Sequence, residues 1–192
     1  MRKLVFSKEK EKNEKRMQKW FAIIIGLVMA LSTAGFAINF VTSEKVSYKG
    51  LKFSRTDSGW QPRGLGISTT YLPGDVENIT LNGQFSSQDF NSKVYLIALP
   101  YMRSDALEFL QNMPVQNLQQ ACLPEYENEQ FCSELPTKSC EDADPQNVMF
   151  VMKESNSTSI SYANYCLTIE GQSGDLTMAV DRAIFQAYGI IK

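Results

Sequence analysis

The chain of 192 residues contains no histidine, the side chain most often used for acid–base catalysis and for binding metal ions. A serine or cysteine nucleophile would therefore need another base. The glycine-rich signatures of phosphate-binding and dinucleotide-binding loops are also missing. The sequence accordingly predicts no cofactor, no metal and no catalytic residue, and it favours a protein that is not an enzyme.

Charge is absent from residues 20–43, a run of 24 residues. A helix needs about 20 apolar residues, at a rise of about 1.5 Å each, to cross the hydrocarbon layer. We therefore predict a transmembrane helix over residues 20–43. The alternative is a signal peptide cleaved near Gly35-Phe36-Ala37, but its apolar region is typically about 7 to 15 residues long, which favours an uncleaved signal anchor.

The two flanks of this segment carry opposite charge. Residues 1–19 hold eight basic and three acidic residues, a net charge of +5, whereas residues 44–192 have a net charge of −7. Lysine and arginine favour the cytoplasmic side of a membrane. We expect a single-pass protein of the cell membrane with a cytoplasmic tail (1–19), an anchor (20–43) and an extracytoplasmic domain (44–192).

Small residues recur every fourth position in the predicted anchor, at Ala22, Gly26, Ala30 and Ala34. Such a stripe lets helix backbones pack closely within a bilayer. The sequence thus predicts the lipid bilayer as one partner, and a membrane protein or a second copy of the chain as another. Alanine and glycine are also common in spans without any partner. No nucleic-acid partner is predicted.

All four cysteines lie in residues 44–192, and an even number in an extracytoplasmic domain indicates two disulfides. A zinc site would need closely paired cysteines or histidines. Three pairings are possible. We prefer Cys122–Cys132, which closes a short polar loop, together with Cys140–Cys166, which ties the segment before one strand to its neighbour.

Two sequons, Asn78-Ile79-Thr80 and Asn156-Ser157-Thr158, make Asn78 and Asn156 candidate glycosylation sites.

The pattern of residues 44–192 predicts an α+β or α/β domain, with a β-rich first part followed by strand, helix, strand, strand and helix. We expect strands over residues 48–54, 64–71, 79–85, 93–99, 148–152 and 165–169, the first followed by a turn before Trp60. Ser104 is expected to cap a helix that resumes after Pro114 and includes Leu118. A closing helix carries apolar residues at helical spacing from Leu176 to Ile191.

Acidic residues are plentiful but no pair is singled out. The loop between Cys122 and Gln146 has seven carboxylates and one lysine, without the turn glycine of a calcium-binding loop, and we expect it to be solvated and pinned by disulfides. Paired carboxylates for glycoside hydrolysis meet only in the fold. The candidate aspartates are Asp57, Asp75, Asp89, Asp105 and Asp181.

Several short motifs resemble uncharacterised single-pass membrane proteins of small-genome archaea. The resemblance implies an anchor and a cysteine-bearing extracytoplasmic domain, and it transfers no catalytic residue. The motifs are Tyr48-x-Gly50-Leu51-Lys52-Phe53 followed by Trp60, Tyr71-x-Pro73-x-Asp75-Val76, Cys166-Leu167-Thr168-Ile169-Glu170-Gly171, Ala179-Val180-Asp181-Arg182-Ala183 and Tyr188-Gly189-Ile190.

Three classes of function follow from these patterns. The first is a membrane-anchored structural or interaction module of the cell envelope, such as a subunit of a larger assembly. The second is a carbohydrate-binding or carbohydrate-processing domain, which exposed aromatic rings beside a carboxylate pair would distinguish. The third is a sensor, which 19 cytoplasmic residues do not favour because they cannot hold an output domain.

Overall fold

The computed structural model describes residue 17, residues 19–29 and residues 44–191. The chain divides into two compact units, Met1–Glu44 and Lys45–Lys192. In the first unit, Met17 and residues 19–29 are helical, and the latter stretch is called α1. The second unit is an α+β domain with two disulfides.

The predicted transmembrane helix is wrong, because none of the described helices is long and apolar enough to cross a membrane. Ala22 and Gly26 lie on α1, whereas Ala30 and Ala34 lie outside the described residues, as do residues 1–16. Nothing in the described residues tests a packing role for these four small residues.

The domain begins with a small antiparallel sheet of three strands. These are β1 (Lys45–Tyr48), β2 (Leu51–Thr56) and β3 (Gly59–Pro62). The hairpin predicted before Trp60 is confirmed as β2–β3. Lys49 and Gly50 have φ angles of 47° and 86°, the left-handed geometry of a two-residue hairpin turn, so they divide the expected first strand into β1 and β2.

The second sheet has six strands in the order β4-β8-β9-β7-β5-β6. Strands β9, β7, β5 and β6 run parallel, whereas β8 is antiparallel to β9 and parallel to β4. The strands are β4 (Thr80–Asn82), β5 (Lys93–Ile97), β6 (Asn117–Ala121), β7 (Asn147–Glu154), β8 (Ser159–Ala163) and β9 (Cys166–Gly171). The α-helices of the domain are α2 (Pro73–Val76), α3 (Arg103–Gln111) and α4 (Leu176–Ala187), and short 3-10 helices, among them Ser87–Phe90, lie between other elements.

The sheet is covered on both faces, which explains the continuous apolar runs of its central strands. On β7, Val148, Phe150 and Met152 pack in the main core with residues of α3 and α4. The intervening Met149 and Val151 belong to a second cluster, with Cys166. Each fully buried side chain of this size contributes about 1.5–3 kcal/mol of transfer free energy.

Other secondary-structure predictions were wrong where tertiary pairing overrode local pattern. Residues 64–71 form no regular strand, and only an isolated bridge joins Thr69 to Trp60. Leu118 lies in β6 opposite Val94 rather than in a helix, because pairing with β5 extends the chain after Pro114. Strand β8 was not predicted. Helix α3 follows Met102 directly, so Ser104 lies inside its first turn instead of capping it.

Replacement of Gly59 by alanine is expected to destabilise the domain by more than about 1 kcal/mol. The φ of Gly59 is 116°, and an added Cβ would meet the backbone carbonyl of Thr69, which hydrogen-bonds to Trp60. The measurement is the urea midpoint of unfolding. Gly66→Ala is the matched control, since its Cβ would enter open space; equal midpoints for the two variants would contradict this account.

Candidate binding site at the carboxyl edge of the sheet

Strands β5 and β7 are parallel neighbours whose chain connections leave in opposite directions. From β5 the chain passes through α3 to β6, and from β7 it passes through β8 to β9 on the other side. In sheets of this kind, ligands bind in the crevice outside the carboxyl ends of strands at such a divergence. The strand order therefore favours a ligand site at the carboxyl edge of β5 and β7.

Two tyrosines and two glutamates meet at this edge and are called the carboxyl-edge cluster: Tyr101, Glu125, Tyr126 and Glu154. Tyr101 follows β5, Glu154 ends β7, and the other two follow β6. The Tyr101 hydroxyl donates a hydrogen bond of 2.9 Å to Glu154 Oε2. The side chain of Tyr101 is 53% exposed, so its ring remains available to solvent.

The surroundings of the two phenols of the cluster disfavour a further negative charge. Partial loss of hydration raises the pKa of Tyr101, and the hydrogen bond and charge of Glu154 raise it further. Loss of hydration likewise raises the pKa of Tyr126, followed by the effects of Glu125 and then of Glu154. The cluster thus offers two hydroxyl groups beside two carboxylates.

Disulfides hold the loop that carries half of this cluster. The predicted pairing is confirmed, with Cys122 bonded to Cys132 and Cys140 bonded to Cys166. Cys122 directly follows β6, so the first disulfide closes a loop around Glu125 and Tyr126. The loop carboxylates Glu125, Glu127, Glu129, Glu134, Glu141, Asp142 and Asp144 are exposed, as expected of a solvated loop.

Apolar side chains pack against the ring of Tyr126. Its centroid lies 6.3 Å from that of Phe131. An apolar cavity of about 10 Å³ between Ile97, Leu123 and this pair has room for no more than one water molecule. The ring of Tyr126 therefore forms part of the surface of the site and does not cover an internal pocket large enough for a ligand.

Three of the candidate aspartates lie in a turn or at the start of a short helix. Asp75 accepts the backbone N–H of Leu72 at 3.0 Å, and Asp89 accepts that of Ser86 at 2.6 Å, each at the start of a short helix. Asp57 is exposed in the turn between β2 and β3. Side chains of this type commonly satisfy free backbone groups at helix starts and turns. They do not contribute to the carboxyl-edge cluster.

Asp105 and Asp181 lie with Glu108 between α3 and α4. Thr177 donates a hydrogen bond of 2.8 Å to Asp105, and the backbone N–H of Tyr71 donates one of 2.7 Å to Asp181. Burial raises the pKa of Asp181 to about 8, opposed by the Tyr71 N–H and reinforced by Glu108. Asp181 is fully buried, so it cannot contact a ligand on the surface.

Across residues 17, 19–29 and 44–191, no group of three or more acidic, cysteine or histidine side chains is placed to hold a metal ion.

Asn78 and Asn156, the two sequon asparagines, are exposed, and a glycan at either one remains a prediction.

Comparison of the chain with protein-family models, with curated proteins and with solved structures finds no match. The resemblance to single-pass archaeal proteins therefore stays a prediction. The sequence did not point to Tyr101 or Glu154 as site residues. One signal was present, since each follows a predicted apolar strand, but only the strand order makes those two strands neighbours.

Proposed function

We propose that residues 44–192 form an extracytoplasmic domain that binds carbohydrate at the carboxyl-edge cluster without catalysing a reaction. The observation that carries the proposal is the exposed ring of Tyr101 beside the carboxylate of Glu154. An extracytoplasmic location is supported by two disulfides, which persist in oxidising compartments and are rare in the cytosol.

The chemistry of the cluster suits a ligand with many hydroxyl groups and apolar C–H faces. An aromatic ring has a negative face and takes up apolar C–H groups, while a carboxylate accepts hydrogen bonds from hydroxyls. Glu154 has acceptor capacity left after the bond from Tyr101, because an ionised carboxylate offers about four lone-pair positions. That bond also fixes the ring before binding, which reduces the entropy lost on association.

Binding is favoured over hydrolysis by the exposure of both glutamates of the cluster. A glycosidase needs one carboxyl group kept protonated as a general acid, typically by an apolar pocket. Glu125 and Glu154 are exposed at the surface, and the cavity beneath Tyr126 is too small to enclose a sugar ring. The proposed domain therefore recognises a glycan on an open surface.

Interaction with a protein of the cell envelope is the second candidate function. Strand β6 is at the edge of the sheet, pairing only with β5 among the described strands. Its sequence, Asn117 to Ala121, is uncharged, and Leu118 is 41% exposed. Natural edge strands are usually protected by charge, so this one favours pairing with a strand of a partner.

Tyr101→Ala is expected to weaken glycan binding at least tenfold, because the substitution removes both the ring face and the hydroxyl that holds Glu154. The probe is a panel of immobilised oligosaccharides, followed by calorimetric titration of the soluble form of those retained. Tyr165→Ala is the matched control, since Tyr165 is a 38% exposed tyrosine at the amino end of β9, on the opposite edge of the sheet.

Two outcomes would refute the carbohydrate proposal. The first is that residues 44–192 retain no oligosaccharide of the panel. The second is that Tyr101→Ala binds as tightly as the wild type while its circular dichroism spectrum shows an intact fold. The second candidate function would be favoured if the wild type binds no glycan but captures a partner protein, and if Leu118→Lys no longer captures that partner.

A further inference from the structure

A second cavity lies on the domain between the β1–β2 hairpin and the end of α4. Its volume is about 500 Å³, within the range of about 300–1,000 Å³ typical of small-molecule sites. We call it the hairpin cavity. Its lining includes Tyr48, Lys49, Leu51, Leu65, Tyr188 and Ile190.

The aromatic walls of the hairpin cavity are fixed by hydrogen bonds to groups of the protein. The Tyr188 hydroxyl donates a bond of 2.6 Å to the carbonyl oxygen of Asn112. The Tyr48 hydroxyl donates a bond of 2.7 Å to Glu77 Oε2. Because both phenol groups are engaged in this way, the two tyrosines contribute mainly their rings to the cavity, next to the aliphatic side chains of Leu51 and Leu65.

One basic side chain lines this cavity and a second is buried near it, although the domain as a whole is acidic. Lys49 lines it, with Nζ 4.9 Å from the ring centroid of Tyr48. Arg182 on α4 is near enough for its charge to act on Lys49 and Tyr48. The carboxylate of Glu77 also acts on Lys49, and it keeps its negative charge while it accepts the hydroxyl of Tyr48. The positive charges of Lys49 in the lining and of Arg182 behind it outweigh the single negative charge of Glu77, so the cavity favours an anionic group beside Lys49.

Arg182 is also incompletely satisfied. It is only 4% exposed, and its Nη1 donates a bond of 3.3 Å to Gln186 Oε1. Its Nε has no hydrogen-bond partner among the described residues. Buried donors without partners are rare in folded proteins, and each asks for an explanation.

Lys49 occupies a backbone conformation that asparagine or glycine adopts more easily. Its φ of 47° lies in the left-handed region, where a long side chain is uncommon. Residues held in such conformations cluster at ligand sites. The hairpin thus places an ammonium group at the cavity at some cost in backbone energy.

We propose that the hairpin cavity binds an anionic amphiphile, whose aliphatic chain lies against Leu51, Leu65 and the tyrosine rings while its phosphate or carboxylate pairs with Lys49. Such a molecule can be free in solution or part of a bilayer, and both sources share this chemistry. The site is separate from the carboxyl-edge cluster, so neither proposal depends on the other.

The test uses dodecyl phosphate below its micelle concentration, titrated calorimetrically into residues 44–192. We expect saturable binding with one molecule per domain. Lys49→Asn should weaken it at least fivefold, because asparagine keeps the left-handed turn but removes the charge. Lys52→Asn is the control, with the same loss of charge on an exposed residue of the same hairpin, and should change affinity less than twofold. Dodecyltrimethylammonium, a cation with the same chain, should not bind.

Vesicles of phosphatidylglycerol distinguish the two sources of the amphiphile. Binding to monomeric dodecyl phosphate alone indicates a free ligand, and binding to both indicates a lipid that can also be presented by a bilayer; either result supports the proposal. Binding to vesicles alone, no saturable binding of dodecyl phosphate, equal losses in Lys49→Asn and Lys52→Asn, or equal binding of the cation would each overturn it.

Discussion

Joint replacement of Cys140 and Cys166 by serine is expected to lower the free energy of unfolding by about 3 kcal/mol. The disulfide joins positions 26 residues apart, and its main effect in the chain-entropy model is to restrict the unfolded chain. Cys166 is also buried in the cluster with Met149 and Val151, so the substitution loosens the cover of that face of the sheet. Urea denaturation measures the loss, and hydrogen exchange at Met149 and Val151 locates it.

The Cys122→Ser and Cys132→Ser pair serves as the comparison. These residues are 10 positions apart, so the shorter loop predicts a slightly smaller loss. Titration should find no free thiol in the native domain and four after reduction, because residues 44–192 contain no unpaired cysteine. An unchanged unfolding midpoint in the Cys140→Ser, Cys166→Ser variant would show that this disulfide contributes nothing to stability.

Asp181→Asn is expected to stabilise the domain at pH 8 by about 5 kcal/mol. Burial raises the pKa of this carboxyl group to about 8, whereas an unfolded chain has the ordinary value of about 4. Asparagine preserves an acceptor for the Tyr71 N–H and removes the charge. In the wild type the other side-chain oxygen, Asp181 Oδ1, has no hydrogen-bond partner among the described residues. The substitution therefore keeps the number of buried polar atoms without a partner at this side chain unchanged.

The sign of this effect sets the pH range in which it is visible. Between about pH 4 and pH 8 the folded domain holds a proton on Asp181 that the unfolded chain has released, so stability falls as the pH rises. The slope approaches about 1.4 kcal/mol per pH unit for one proton. Below pH 4 both the folded and the unfolded chain carry the proton on Asp181, so the stabilities of the wild type and Asp181→Asn should differ least.

Denaturant unfolding of the wild type and Asp181→Asn at pH values from 4 to 9 measures the two curves. Asp57→Asn is the control, because it makes the same substitution at a residue that is exposed in a turn. Parallel curves for the wild type and Asp181→Asn would show that this carboxyl group keeps its ordinary affinity for protons in the folded domain.

The elements with a strong local signal were the ones that the sequence predicted well. Strand β7 is a run of buried residues of strand length, and it was predicted almost to its ends. The apolar stripe of α4 includes Leu176, Val180 and Ile184, all buried in the main core. The length of the apolar run identifies β7 and the spacing of apolar residues identifies α4, so a local pattern is sufficient in both cases.

The candidate site depended on information that no local window contains. Tyr101 and Glu154 are 53 positions apart, and they meet because β5 and β7 are adjacent and parallel. The four aromatic and acidic side chains of the cluster come from three different strand ends. Sequence reasoning named the feature that would identify a sugar site, but it could not assign residues to that feature without the order of the strands.

The strand order also governs how the domain can fold as it is synthesised. Strand β4 pairs with β8, whose first residue lies 79 positions later, and the central strands need α4 to cover one face. Pairings between distant segments form slowly, because a long loop must close before they become favourable. A nascent chain that ends before α4 exposes the apolar faces of β5 and β7, which makes it prone to aggregate. The domain therefore becomes stable only when the last helix has been made, and shortened translation products are expected to be removed rather than to persist as partly folded forms.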